Sequence, residues 1–173
     1  MWQPTEKMQK WRKLAEYWSR PTKCPAALIL AVIQQESGGN PKATRFEPEY
    51  LKRYAKRCKE IADAGDISEQ EVAISYGLMQ LMLPLAWGYM SPEQKQDGCG
   101  GIMTCLNPAQ NIRFGAAHLG NLMKKAAPNG APLDMAIVRT VAGKYNGGGS
   151  DSAYARNVSA LYVRYDKWLR GVE

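Results

Sequence analysis

The feature that most constrains the fold is an apolar run, Ala26 to Ile33, that leads into a short polar stretch and a pair of glycines. Pro25 suits the start of a helix, and a run of this length supports about three helical turns. Leu28, Val32 and Glu36 recur at four-residue intervals and therefore share one helix face. The glycines then end the helix, because glycine adopts the left-handed conformation without strain. The pattern predicts a buried helix with a carboxyl group in its last turn.

Glu36 is a candidate general acid because of where the predicted helix places it. The C-terminal end of a helix carries a partial negative charge, which disfavours an ionised carboxylate. Partial burial acts in the same direction, so both effects are expected to raise the pKa of this carboxyl group. Acid catalysis requires a proton that is held near neutral pH. The alternative is an ordinary surface glutamate that is solvated or paired with an arginine.

The chain length and the formal net charge limit the class of protein, but they do not identify its binding partner. The chain has 173 residues, which suits one domain, and its formal charge of +7 favours polyanionic partners such as nucleic acid, an anionic membrane or the bacterial wall. Residues 1–7 lack the basic and apolar regions of a secretory signal, so any export is expected to use another route or a segment that has been removed. The run at 26–33 is too short to span a bilayer, and we expect no membrane insertion.

The four cysteines leave several states open. None of the pairs among Cys24, Cys58, Cys99 and Cys105 has the two-residue gap of a zinc knuckle or redox motif. Cys99 and Cys105 flank a glycine-rich segment and could close a small disulfide ring. The alternative is four free thiols in a reducing compartment. A zinc site built from Cys99, Cys105 and His118 is the least supported state, and we expect neither a metal nor a cofactor.

Helical periodicity recurs along most of the chain. The predicted helices cover residues 5–19, 47–64, 132–144 and 151–169, and a further helix begins at Asn107-Pro108 with the asparagine as N-cap. Ser68 or Asp66 is expected to cap a short helix that runs through Ala73. Residues 91–106 are predicted as a loop, and no strand pattern of any length appears. The expected fold is mainly α, with six or more helices in a single domain spanning residues 1–173.

Three features on these elements have both a structural and a functional interpretation. The helix at 47–64 has a strongly basic side, which is either a solvated face or a contact for an anionic polymer. Gln80 lies inside an apolar run, where its amide needs a hydrogen-bond partner from the core backbone or from a ligand. The glycines at 147–149 either connect elements flexibly or let the backbone approach a ligand closely. His118 lies off the apolar stripe of its helix and is expected at the surface or its boundary.

Four short segments stand in a particular order along the chain. They are Glu36-Ser37, Gly77-Leu78-Met79-Gln80, Asn107-Pro108 through Asn111-Ile112 to Gly115 and Leu119, and Tyr145-Asn146-Gly147-Gly148. Together they resemble the soluble lytic transglycosylase domain, the goose-type branch of the lysozyme-like fold. The resemblance covers roughly residues 24–168. It leaves residues 1–22 as an N-terminal helical extension and places an insertion at about 45–75.

The resemblance implies a lysozyme-like helical domain with a substrate cleft that binds peptidoglycan. The implied reaction cleaves the β-1,4 bond between N-acetylmuramic acid and N-acetylglucosamine and leaves a 1,6-anhydro ring on the muramic acid. Glu36 would be the single catalytic group, first as acid and then as base. The implied substrate-binding residues are Ser37, Met79, Gln80, Tyr145, Asn146 and Tyr154. No cofactor or metal is implied.

Departures from the family pattern indicate a subtype. The interval between Glu36 and Gly77 is longer than in many members and holds Arg45-Phe46-Glu47-Pro48, which resembles an insertion in phage-borne members. His118 stands where a tyrosine is common. Ser150-Asp151 stands where relatives often have a glutamate, which puts one sugar contact in question.

The insertion opens a rival chemistry, and two non-enzymatic functions also remain open. An inverting muramidase needs a second carboxylate about 6.5–9.5 Å from the first, and Glu47 or Glu49 could supply it. The non-enzymatic functions are a wall-binding module without turnover and a nucleic-acid binder that uses the helix at 47–64. The leading prediction is a monomeric peptidoglycan-cleaving enzyme that binds no nucleic acid. It would act in the periplasm or cell wall after delivery by a phage or by another export route.

Overall fold

The structure is a computed structural model that describes residues 2–95, 98–128 and 133–172, without the side chains of residues 98 and 99. Pro128-Asn129-Gly130, a sequence that predicts a turn, lies partly outside these residues, and the predicted helix start at residue 132 lies wholly outside them. The helices are α1 (Glu6–Gln9), α2 (Arg12–Thr22), α3 (Ala26–Ser37), α4 (Pro48–Arg53), α5 (Ala55–Gly65), α6 (Glu69–Val72), α7 (Leu83–Trp87), α8 (Gly98–Leu106), α9 (Pro108–Ala126), α10 (Met135–Asn146) and α11 (Ala153–Arg170). The strands are β1 (Thr44–Phe46), β2 (Ile74–Tyr76) and β3 (Leu81–Met82).

The prediction of a mainly α fold is confirmed. The chain divides into two compact units, which we call unit one (Met1–Gly39 with Gly115–Glu173) and unit two (Asn40–Phe114). The assignment of residues 1–173 to a single domain stays a prediction. In the described part of the chain, every helix is too short or too polar to cross a lipid bilayer.

Unit one is built around α3. Every residue from Ala27 to Ile33 is buried, and α11 and α2 pack against this helix. Burial of each leucine or isoleucine contributes roughly 1.5–3 kcal/mol, so the apolar run is a main source of stability in this unit. Pro25 is the N-cap and Gly38 ends the helix at a φ of 56°. The predicted start and end of this helix are confirmed.

The N-terminal helix differs from the prediction. Residues 5–19 form two helices, α1 and α2, instead of one, and α2 continues through Pro21 to Thr22. The proline is tolerated because it lies in the last turn, where only one backbone hydrogen bond is lost. Met8 and Ala15 are buried in unit one.

Unit two contains a small sheet that the sequence did not reveal. β2 is the central strand and pairs antiparallel with both neighbours, with Thr44 opposite Tyr76 and Ser75 opposite Met82. The prediction of no strands was wrong because strands of two or three residues are too short to show an alternating pattern.

The predicted loop at 91–106 was also wrong. A 3-10 turn spans Glu93–Lys95, and α8 begins at Gly98. A Cβ atom on Gly101 would lie 3.1 Å from the ring of Trp87. The glycine therefore permits close packing of a helix, although in the sequence it resembles a loop signal.

The helix predicted at 47–64 is interrupted, but its end is confirmed. Tyr54 leaves the helical conformation at φ −122° and ψ 32° and separates α4 from α5. Asp66 is the left-handed C-cap of α5. Ser68 is the N-cap of α6 in a reciprocal capping box with Glu71.

Candidate active site

Glu36 and Tyr154 meet where α3 packs against α11 in unit one. Glu36 lies in the last turn of α3 and is half-buried, as the sequence predicted. Tyr154 lies in the first turn of α11, whose N-cap Ser152 accepts a hydrogen bond from the backbone N–H of Ala155. The Tyr154 hydroxyl donates a hydrogen bond of 2.7 Å to Oε1 of Glu36. The bond restrains the carboxyl group and gives it a polar partner in a partly buried position.

The Ser37 side chain hydrogen-bonds to the backbone on both sides of Glu36. Its hydroxyl donates to the carbonyl oxygen of Ile33 at 3.1 Å and accepts from the N–H of Gly39 at 3.2 Å. Trp11 Nε1 donates to the carbonyl oxygen of Gly39 at 3.1 Å. These bonds fix the chain immediately after the last turn of α3, and therefore the direction in which Glu36 projects.

A second hydrogen bond joins α3 to α11, and it was not predicted from the sequence. The hydroxyl of the fully buried Tyr165 donates to Oε1 of Gln34 at 2.5 Å. Tyr154 and Tyr165 both lie on the helix that the sequence predicted at 151–169. Their partners could not be predicted, because each partner lies more than a hundred positions away along the chain.

Tyr145 and Asn146 form the end of α10, also in unit one. Tyr145 is half-buried and Asn146 is exposed. The Tyr145 ring centroid lies 5.5 Å from that of His118. His118 is half-buried, as predicted for a boundary residue, and burial, together with the nearby Lys125, lowers its pKa.

The glycines after α10 pack back onto this helix. Gly147 ends α10 at a φ of 79°, and the N–H of Gly148 donates to the carbonyl oxygen of Gly143 at 3.0 Å. A Cβ atom on Gly143 would lie 2.2 Å from the carbonyl oxygen of Gly149. A glycine is therefore required within the helix itself for the loop to lie against it.

Asn111 organises the Gly77–Gln80 turn in unit two. Its side chain is fully buried, and Nδ2 donates to the carbonyl oxygens of Tyr76 and Cys105, both at 2.8 Å. Its Oδ1 accepts from the N–H of Met79 at 2.8 Å. Gly77 has a φ of 76°, and a Cβ atom there would lie 2.6 Å from Asn111 Nδ2. The motif thus needs glycine at 77 both for its backbone conformation and for space.

Met79 and Gln80 have different environments in this turn. Met79 is fully buried, so its side chain belongs to the core of unit two. Gln80 is half-buried with a φ of 46°, and its Nε2 donates to the carbonyl oxygens of Ala43 and Gly77 at 3.0 Å. Of the predicted site residues, Glu36, Ser37, Tyr145, Asn146 and Tyr154 lie in unit one, and Met79 and Gln80 lie in unit two. Their roles in substrate binding stay predictions.

Glu47, the candidate second carboxylate, already has partners in unit two. Its Oε1 lies 2.5 Å from Arg45 Nε in an ion pair and 3.3 Å from the Ser75 hydroxyl. Glu49 is exposed in the first turn of α4.

The described cysteines are buried thiols. Cys24, Cys58 and Cys105 are free thiols, and the side chain of Cys99, the other half of the possible disulfide ring, lies outside the described residues. Burial raises the pKa of Cys105 to about 12 and that of Cys24 still further. The described residues contain no group of three or more His, Cys, Asp or Glu side chains that could hold a metal ion.

A mainly α fold with a carboxyl group at the end of a buried helix is typical of the lysozyme-like class of glycan-cleaving proteins. The sequence model of the transglycosylase SLT domain matches residues 13–161, and the chain therefore belongs to this family. No curated protein and no solved structure matches it significantly. Family membership makes the chain an enzyme that cleaves glycosidic bonds in peptidoglycan.

Proposed function

We propose that the enzyme is a lytic transglycosylase that cleaves the β-1,4 bond between N-acetylmuramic acid and N-acetylglucosamine and forms 1,6-anhydromuramic ends. The observation that carries this proposal is the 2.7 Å hydrogen bond from Tyr154 to Glu36. It supports a site in which one carboxyl group, restrained by a neutral donor, serves as both acid and base.

The reaction balances with Glu36 as the only proton carrier. Its carboxyl proton passes to the glycosidic oxygen, the bond from this oxygen to the muramic C1 breaks, and the N-acetylglucosamine chain leaves. The acetamido group of the muramic residue shields the positive C1. The Glu36 carboxylate then takes the proton of the C6 hydroxyl as O6 bonds to C1, which closes the anhydro ring. Glu36 returns to its protonated state, and no water is consumed.

Tyr154 contributes by stabilising the charge that forms on Glu36. A hydroxyl that donates to a carboxylate makes a charge-assisted hydrogen bond, which is stronger than the bond to the neutral acid. The bond therefore strengthens as the proton leaves for the glycosidic oxygen. It favours the transition state over the ground state, which is the requirement for a catalytic effect.

The contacts of Glu47 support this single-acid reaction over the inverting one. A general base for water needs a carboxylate that is available to take a proton. Oε1 of Glu47 instead lies 2.5 Å from an arginine nitrogen and 3.3 Å from a serine hydroxyl within its own unit. The Glu47 carboxylate is therefore already engaged by its neighbours in unit two.

Digestion of purified sacculi tests the proposal. Wild type should release muropeptides with anhydro ends, which are lighter by one water molecule than reducing ends in mass spectrometry. Glu36→Gln should release none above background, while Glu49→Gln, which removes an exposed carboxyl group, should match wild type. Equal release by Glu36→Gln and wild type would remove Glu36 from its role. Products with reducing ends would instead indicate a hydrolase, as the inverting mechanism requires.

We further propose that the enzyme works as a monomer without a cofactor, in the periplasm or cell wall. The proposed reaction needs only the glutamate and the sugar's own groups, which supports activity without a metal. Release of anhydro ends should therefore persist in the presence of a strong chelator. Size-exclusion chromatography with light scattering should give a mass near 19.2 kDa.

A further inference from the structure

The corner between α4 and α5 in unit two presents positive charge and aromatic rings to solvent. Every residue from Lys52 to Arg57 is exposed, because Tyr54 interrupts the helix and turns the chain there. We name as the basic corner the three cations and two aromatic residues at this turn: Lys52, Arg53, Lys56, Tyr50 and Tyr54. The proposed reaction uses none of them.

Among the residues that the structure describes, the three cations of the basic corner have no acidic partner. By contrast, Arg45, Arg57 and Lys59 of the same unit form ion pairs with Glu47, Glu60 and Asp63. No carboxylate among the described residues lies within ion-pair distance of Lys52, Arg53 or Lys56. The corner is therefore a local excess of positive charge, and not merely a solvated face with balanced ion pairs.

The aromatic residues of the corner are arranged beside this charge. The ring centroids of Tyr50 and Tyr54 lie 4.7 Å apart, and the Arg53 guanidinium lies 5.6 Å from the Tyr54 centroid. Tyr54 is 44% exposed although it is a large aromatic side chain. An exposed ring flanked by cations suits a ligand that offers both an apolar sugar face and a negative charge.

We infer that the basic corner is a second binding surface for peptidoglycan, which takes the carboxylates of the stem peptides on Lys52, Arg53 and Lys56 and a sugar face on Tyr54. Charge complementarity argues for this occupant, since peptidoglycan carries peptide carboxylates along a sugar polymer. The inference rests on the proposed function, which makes peptidoglycan the substrate. A surface of this kind holds the enzyme on an insoluble polymer between cleavage events. It therefore raises the local concentration of uncleaved glycosidic bonds near the active site.

Pelleting with purified sacculi tests the inference in the Glu36→Gln background, so that binding is measured without cleavage. The corner variant carries Lys52→Gln, Arg53→Gln and Lys56→Gln. Its matched control carries Lys10→Gln, Lys13→Gln and Arg164→Gln, which are exposed in unit one and remove the same charge. The corner variant should bind about ten-fold more weakly than the control, and the difference should shrink at high salt.

A single substitution tests the proposed contact between a sugar face and the Tyr54 ring. Tyr54→Ala should weaken binding about three-fold or more relative to Tyr17→Ala, since Tyr17 is 65% exposed in unit one. Far-UV circular dichroism of each variant checks that the helices remain folded.

Sacculi that an amidase has stripped of stem peptides identify the ligand group. The difference between the corner variant and its control should fall below about two-fold on the stripped polymer. Equal binding of the two variants to intact sacculi would overturn the inference. A difference that persists after stripping, or one seen only with phosphate-rich wall polymers or duplex DNA, would also overturn it. Cleavage by Glu36→Gln at the wild-type rate would refute the proposed reaction and would leave this binding comparison intact.

Discussion

The hydroxyl of Tyr154 lies 2.7 Å from Oε1 of Glu36, although the two residues are 118 positions apart in the chain. The bond is made possible by the packing of α11 on α3, which also brings Tyr165 to Gln34. These two hydrogen bonds between α3 and α11 hold the Glu36 carboxyl group beside the Tyr154 hydroxyl. The orientation of Glu36 therefore depends on α11 as much as on its own helix.

Replacement of Tyr154 by phenylalanine tests the catalytic value of this bond. Tyr154→Phe should lower kcat about ten-fold or more, because a hydrogen bond to a charged group contributes about 1.5–3 kcal/mol. KM should change little, since the bond strengthens mainly as the carboxylate forms. The measurement is the initial rate of anhydro-muropeptide release.

Tyr162→Phe on the same helix is the control for that experiment and should keep wild-type kcat. A Tyr154→Phe enzyme with unchanged kcat would show that the hydroxyl only fills space beside the acid.

Asn111→Leu should destabilise the protein by about 3 kcal/mol or more. The substitution removes the side-chain partner of two buried carbonyl oxygens and one buried N–H, and each unsatisfied group costs about 1–3 kcal/mol. Urea unfolding measures the change. The exposed Asn157→Leu should shift the free energy of unfolding by less than about 0.5 kcal/mol. A similar small shift for Asn111→Leu would contradict its role in holding the Gly77–Gln80 turn.

Gly143→Ala should displace the glycine loop from α10. The added Cβ would lie 2.2 Å from the carbonyl oxygen of Gly149, a distance that no rotamer change relieves. The expected cost is about 1–3 kcal/mol of stability, with loss of the protection of the Gly148 N–H against hydrogen exchange. Gly88→Ala, where the nearest atom to the added Cβ is 3.4 Å away, should have a much smaller effect. Unaltered exchange at Gly148 in Gly143→Ala would argue against the packed loop.

The capping box of α6 predicts a pH dependence of stability. Hydrogen bonds from the Ser68 backbone N–H and then from its hydroxyl lower the pKa of Glu71. A carboxyl group whose folded pKa is depressed contributes stability above its unfolded pKa, and this contribution is lost as the pH falls through the folded pKa. Wild type should therefore be more stable than Glu71→Gln at neutral pH, and the difference should shrink at an acidic pH below the usual pKa range of glutamate.

Denaturant unfolding at the two pH values measures this effect. Glu69→Gln, in the same first turn but without the reciprocal bond, is the matched control. A Glu71→Gln difference that is equal at both pH values would refute the assignment to the ionised carboxylate.

Local rules predicted the parts of the fold that depend on neighbouring residues. The start and end of α3, the asparagine cap of α9 and the serine cap of α6 were all predicted from capping and glycine preferences. The position of Glu36 in the last turn followed from the same rules.

The errors arose where tertiary contacts override local preference. The glycine at 101 was interpreted as a loop residue, whereas it permits a helix to approach Trp87. The strands have too few residues to show a pattern, and they pair because the segment at 44–46 returns to lie beside 74–76. The partner of Tyr154 was missed for the same reason, since its hydrogen bond is a property of helix packing.

Deep burial of Cys24 and Cys105 makes these two thiols natural reporters of unfolding. The thiolate is the species that reacts with alkylating reagents, and burial both hides these sulfurs and raises their pKa. Each should resist alkylation in the native enzyme and react only when its own unit opens, since Cys24 belongs to unit one and Cys105 to unit two. Mass spectrometry of the two labelled peptides would thus time the opening of each unit separately, without any introduced probe.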